Sequence, residues 1–170
     1  MQSSQDRIAI VVIGIASVVV APGVAGSASI ESSSGGSNPN SLMCRALHKA
    51  LKANSSQTLR DTTLESQFKK AAELGNFTLA KKDYVSIWIG SMKAAQRIQS
   101  SLSGAPDRIR TAEASVVAFF GQIEKIARGA NVKTGSSATQ IEHVEKNPRF
   151  AAAEDTVSRY VIGQCGSSVT

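Results

Sequence analysis

The sequence predicts an all-α fold: an antiparallel up-and-down bundle of four to five helices, closed by a Cys44–Cys165 disulfide. Three observations carry this. No segment alternates apolar and polar residues with the period of two that marks a half-buried strand, whereas apolar residues recur at three- and four-residue spacing along most of the chain. Ala, Leu, Ile, Val, Lys and Gln dominate the later segments, a composition that favours helix. The only two cysteines lie 121 positions apart, at opposite ends of the helical region.

The compartment follows from the first residues. A polar start holding Asp6 and Arg7 precedes an apolar run of about 14 residues, Ile8 to Ala21, and then small residues with two sites that suit a signal peptidase, Gly23-Val24-Ala25 and Gly26-Ser27-Ala28. The run is shorter than the roughly 20 residues of a spanning helix. Residues 1–28 are therefore expected to be a signal peptide, with an uncleaved anchor as the alternative. The location is secreted or extracytoplasmic, membrane-tethered if the segment is retained. In an oxidising space two cysteines allow one internal pairing. Closing so long a loop stabilises the fold by roughly 4–5 kcal/mol in the chain-entropy treatment. Two buried free thiols are the alternative.

Residues 29–40 are rich in Ser, Gly and Asn and form an expected flexible linker. The bundle is expected to span 41–165 and a short tail 166–170. The first helix is predicted over about 41–53, with Cys44, Leu47, His48 and Leu51 on one face, Arg45, Lys49 and Lys52 on another, and Asn54 as its C-terminal cap. A second is predicted over about 62–74, opened by the capping box Thr62-Thr63-Leu64-Glu65 and left through Gly75. A third spans about 78–103. Tyr84, Ile87, Trp88, Ala95, Ile98 and Leu102 line its inner face and Lys82, Lys93 and Arg97 the opposite one. A fourth begins at Pro106 and carries the clearest apolar stripe, from Ile109 through Val116, Phe119, Phe120 and Ile123 to Ala127, with Gly129 at its close. A short helix follows over about 138–146, with Ser137 and Gln140 at capping-box spacing. Asn147-Pro148 starts the last helix, with Phe150, Val157, Val161 and Cys165 inward. The bridge is expected to set the first and last helices side by side.

The ending Ala151-Ala152-Ala153-Glu154-Asp155-Thr156-Val157-Ser158-Arg159-Tyr160-Val161-Ile162-Gly163-Gln164-Cys165-Gly166 resembles the final helix of uncharacterised exported actinobacterial helical-bundle proteins. There, a Val-x-x-Tyr-like stretch ends in Cys-Gly and an earlier Cys opens the helical region, as Cys44 does here. The resemblance covers about a fifth of the chain and implies a fold and a location, not an activity.

The chain carries a formal net charge of +6. Residues 29–110 hold 12 Lys/Arg against 6 Asp/Glu, and residues 111–170 hold 6 of each. For an exported protein this points to an anionic envelope polymer, lipid headgroups or an acidic protein rather than to nucleic acid. Arg45, Lys49, Lys52, Lys82, Lys93 and Arg97 are the candidate contacts; a merely solubilising surface is the plainer account. No phosphate loop, nucleophile elbow, zinc-protease motif or calcium loop is present, and neither His48 nor His143 has a Glu three residues before it. The acidic residues are expected in capping boxes or on exposed helix faces. The sequence thus predicts a non-enzymatic binding or interaction protein without cofactor. The alternatives are a small-molecule or haem carrier, with His48 and Tyr160 as candidate ligands of a bundle interior, and an enzyme of unrecognised type.

Overall fold

The structure, a computed structural model, describes residues 41–166, so the expected signal peptide, linker and residues 167–170 of the tail lie outside the described residues. Five helices make up the described chain: α1 (Leu42–Glu73), α2 (Phe77–Ser101), α3 (Asp107–Gly129), α4 (Ser136–Glu145) and α5 (Pro148–Cys165). Among the described residues there is no strand.

The largest departure from expectation is α1. Two helices with a break between about 54 and 61 were expected; one continuous helix of 32 residues, about 48 Å long, takes their place. The polar run between the two expected segments is helical throughout, held by the packing of α1 along α2, and its hydroxyls fold back onto their own helix. Ser55, Ser56, Thr58, Thr62 and Thr63 each donate to the carbonyl four residues earlier. Thr62 therefore caps nothing, and Glu65 pairs with Lys69 one turn on, at 3.0 Å. Asn54 does not cap either: its Nδ2 donates to the Ala94 carbonyl across the seam, 3.4 Å away.

The remaining boundaries fall within one or two residues of expectation. Gly75 takes φ +71°, the left-handed exit expected of it. Asn76 then caps α2 by accepting from Leu79 N, and Asn147 caps α5 by accepting from Arg149 N with Pro148 in the first turn. Pro106 precedes α3 rather than opening it. Ser137 makes no cap: α4 starts from Gly135 at φ +64°, without a side-chain cap, and Ser137 is buried instead.

Phe68 meets Tyr84, and Asn54 meets Ala94 and Arg97, so α1 and α2 run in opposite directions as a long hairpin. α2 then packs on α3, and α3 on both α4 and α5. Two apolar clusters result. One gathers Phe68, Tyr84, Trp88, Phe120, Ile123, Ile141, Val144 and Phe150, with Phe150 edge-on to Phe119 and Phe120 at 5.2 and 5.7 Å. The other surrounds the bridge with Leu47, Leu102, Ile109 and Val157. Cys44 and Cys165 are disulfide-bonded with Cα atoms 5.5 Å apart. The expectation that α1 and α5 lie side by side needs correction. α1 packs along α2 and meets α5 only around the bridge, because α5 packs mainly on α3.

The α1–α2 seam is tightly filled at Gly90. A Cβ there would overlap Gln57 Nε2 and lie 3.0 Å from Asp61 Oδ1. Gln57 Nε2 donates to Asp61 Oδ1 at 2.8 Å, and Asp61 is buried. Gly90→Ala should gain about 1 kcal/mol of helix propensity. It should lose more by pushing Gln57 off a buried carboxylate, at a cost of about 1–3 kcal/mol. The expected net result is a lower urea midpoint with an unchanged slope; a midpoint at or above wild type would refute the close approach.

Candidate functional site

The α1–α2 hairpin concentrates the charge. Residues 42–101 hold ten Lys/Arg against four Asp/Glu, while residues 102–166 hold eight against seven. Of those four acids Asp61 and Asp83 are buried and Glu65 is paired with Lys69, so the hairpin surface is more positive than its formal count. Burial pushes the Asp61 carboxyl up, and the Gln57 hydrogen bond works the other way.

Helical geometry orders this charge on α1. At 100° per residue, Leu42, Arg45, Lys49, Lys52, Leu59, Arg60 and Lys70, with Leu74 just past the helix end, fall within an arc about 100° wide. All eight are exposed and the arc contains no acid. None of its five cations forms an ion pair among the described residues. Its three leucines are 78, 73 and 75% exposed, in chain order. Lys82 and Lys93 are exposed on α2. Arg97 is not free: it is half-buried and donates through Nη1 to Asn54 Oδ1 at 3.0 Å, fixing it on the seam near the level of Lys52. Five of the six expected basic contacts are thus open to a partner, and the sixth holds the hairpin together.

The ligand pair expected of a carrier is not assembled. His48 was expected on the inner face; it is exposed, because no helix covers α1 on the side one step round from Cys44. Tyr160 is half-buried and its hydroxyl lies 3.8 Å from Met43 Sδ. No hydrogen bond joins it to His48 among the described residues. Among those residues no three His, Cys, Asp or Glu side chains are grouped to hold a metal ion, and no helix is long and apolar enough to cross a membrane.

The interior contains an acidic group that was expected at the surface. Glu113 on α3 is 3% exposed, and Glu145 on α4 and Glu154 on α5 are half-buried. Burial raises the Glu113 carboxyl to about 7, with the Glu154 charge adding to the rise. Burial raises Glu154 to about 7. Burial also raises Glu145 to about 7, helped by Glu142 and Glu154. None of the three forms an ion pair among the described residues. Burial likewise pushes the Tyr84 phenol up; hydrogen bonding from Ser137 and Trp88 opposes this, and the Glu145 charge adds to it. The Trp88 contact is loose, since its Nε1 has no partner of normal hydrogen-bond geometry. The sequence does hold a signal for two of these acids. Glu113 falls in register between Ile109 and Val116, and Glu154 between Phe150 and Val157, each at apolar-stripe spacing.

No protein-family model, curated protein or solved structure matches this chain.

Proposed function

We propose that this chain is an exported, non-enzymatic helical bundle that binds an anionic component of the cell envelope through its α1–α2 hairpin. The observation that carries the reading is the segregation of charge: nearly all of the positive excess sits on one hairpin, on side chains that are mostly exposed and mostly unpaired. A surface needed only for solubility has no reason to separate its charges this way. The signal-like opening and the Cys44–Cys165 bridge agree with work outside the cytosol.

The test is retention on an envelope fraction across a salt series. Contacts between exposed charges weaken as the Debye length falls from about 10 Å at 0.1 M to about 3 Å at 1 M. Retention should fall steeply over that range, and Lys49→Glu with Lys52→Glu should abolish it at 0.1 M. Retention indifferent to salt, or none at low salt, would count against the reading.

A further inference from the structure

We propose that the anionic component is a lipid bilayer, and that the outer face of α1 lies flat on it, cations over the lipid phosphates and leucines at the boundary of headgroups and acyl chains. This deepens the reading above and rests on it.

Charge alone does not separate a bilayer from a soluble polyanion; the leucines do. Single exposed apolar side chains are ordinary on a protein surface. Here Leu42, Leu59 and Leu74 are three of the five large apolar residues exposed among the described residues, and all three fall within the acid-free arc that carries Arg45, Lys49, Lys52, Arg60 and Lys70. A carbohydrate or phosphate polymer in water gains nothing from a leucine. A membrane interface rewards both kinds of side chain, cations drawn to anionic headgroups and apolar groups that reach the acyl boundary, and this face offers both. The leucines are spaced by 17 and 15 residues, about 25 and 22 Å along the axis, so they touch down at both ends and the middle of one long rod. The opposite side of α1 is already packed on α2, which holds the helix formed and its outer face turned away from the core. A second copy of the chain is the poorer occupant, because pairing this face with itself would set five cations against five.

The experiment uses the full chain, so that the apolar segment at residues 8–21 is the same in every arm. Sedimentation is measured with phosphatidylcholine vesicles, with vesicles containing about one-third phosphatidylglycerol, and in parallel on a polyphosphate resin. Three proteins are compared: wild type, Lys49→Gln/Lys52→Gln, and Leu42→Asn/Leu59→Asn/Leu74→Asn. All five positions are exposed, so the fold is retained, and circular dichroism verifies it. Wild type should bind the anionic vesicles at least ten-fold more tightly than the neutral ones. Removing two charges should weaken that binding about 25-fold, roughly five-fold for each. The leucine variant should lose at least ten-fold on anionic vesicles and elute from the resin with wild type. Leucine substitutions without effect on the vesicles, or equal binding to both vesicle types, overturn the proposal. If the resin still retains the protein in that case, the anionic partner survives as a polymer; if it does not, both readings fall. A wild-type dimer in sedimentation equilibrium that the leucine variant dissociates also overturns it, by assigning the face to a second copy.

Discussion

Replacing the bridge by Cys44→Ser/Cys165→Ser should lower the unfolding temperature by about 15–20 °C. The two cysteines are 121 residues apart, so the bond removes about 5 kcal/mol of loop-closure entropy from the unfolded chain. Divided by the unfolding entropy of a domain of this size, about 2.1 cal/mol/K per residue, that gives the stated shift. The bond also lacks substitutes. α1 and α5 meet only around it, so the last turns of α5 should be the first to exchange amide hydrogens once it is gone. Substitution is a better probe than reductant, because both cysteines are almost completely buried. A variant that melts within a few degrees of wild type would show that the bridge is redundant with the cluster of Leu47, Leu102, Ile109 and Val157.

The second large effect is on pH. Glu113, Glu145 and Glu154 all titrate near 7 in the fold, raised from an ordinary value of 4.5. The folded state therefore holds protons that the unfolded state has released. The stability these groups lend is complete below about pH 4.5, declines as the pH rises towards 7, and is gone above it. For Glu113, the most deeply buried, the rise corresponds to about 3 kcal/mol at 1.36 kcal/mol per unit. Unfolding free energy should accordingly fall between pH 4.5 and 7. Glu113→Gln should flatten part of that decline and stabilise the protein at pH 8 by up to about 3 kcal/mol, by removing a charge from among Ile109, Val116 and the Glu154 carboxylate. Denaturant titrations of both proteins at pH 5 and pH 8 measure this directly. A wild type more stable at pH 8 than at pH 5, or a variant with the same pH dependence, would show that the three carboxylates are solvated after all.

What the sequence made legible was whatever depends on one helix at a time. Apolar periodicity placed α2, α3 and α5 to within two residues, and Gly75, Asn147 and Pro148 did the work assigned to them because capping chemistry is local. The misses are cases where a partner helix decides. Asn54 and Thr62 carry end signals, but Ala94 and Arg97 on α2 give Asn54 a better use, and packing along α2 carries the helix through the expected break. Ser137 has the spacing of a cap yet turns inward beside Tyr84. Three of the five cations of the candidate face, Arg45, Lys49 and Lys52, were legible from their spacing on one expected helix; Arg60 and Lys70 were not. That Leu59, Arg60, Lys70 and Leu74 stand beside them became visible only once residues 54–61 proved helical and carried the 100° rotation from one expected helix into the next. His48 was misplaced for the converse reason: the wheel gives an angle, and only the neighbours say which angles are covered.

Because the bonded cysteines lie three residues after Ser41 and one before Gly166, the described domain is entered and left at a single pole. Whatever precedes residue 41 and whatever follows residue 166 therefore attaches at that same site, and the far pole, with the Gly75 turn and α4, carries no attachment. The domain is built like a pendant with one suspension point. A fluorophore placed at Ser41 or Gly166 reports from that place, and a label at Gly75 would report from the opposite extremity, more than 40 Å away along α1 at 1.5 Å per residue.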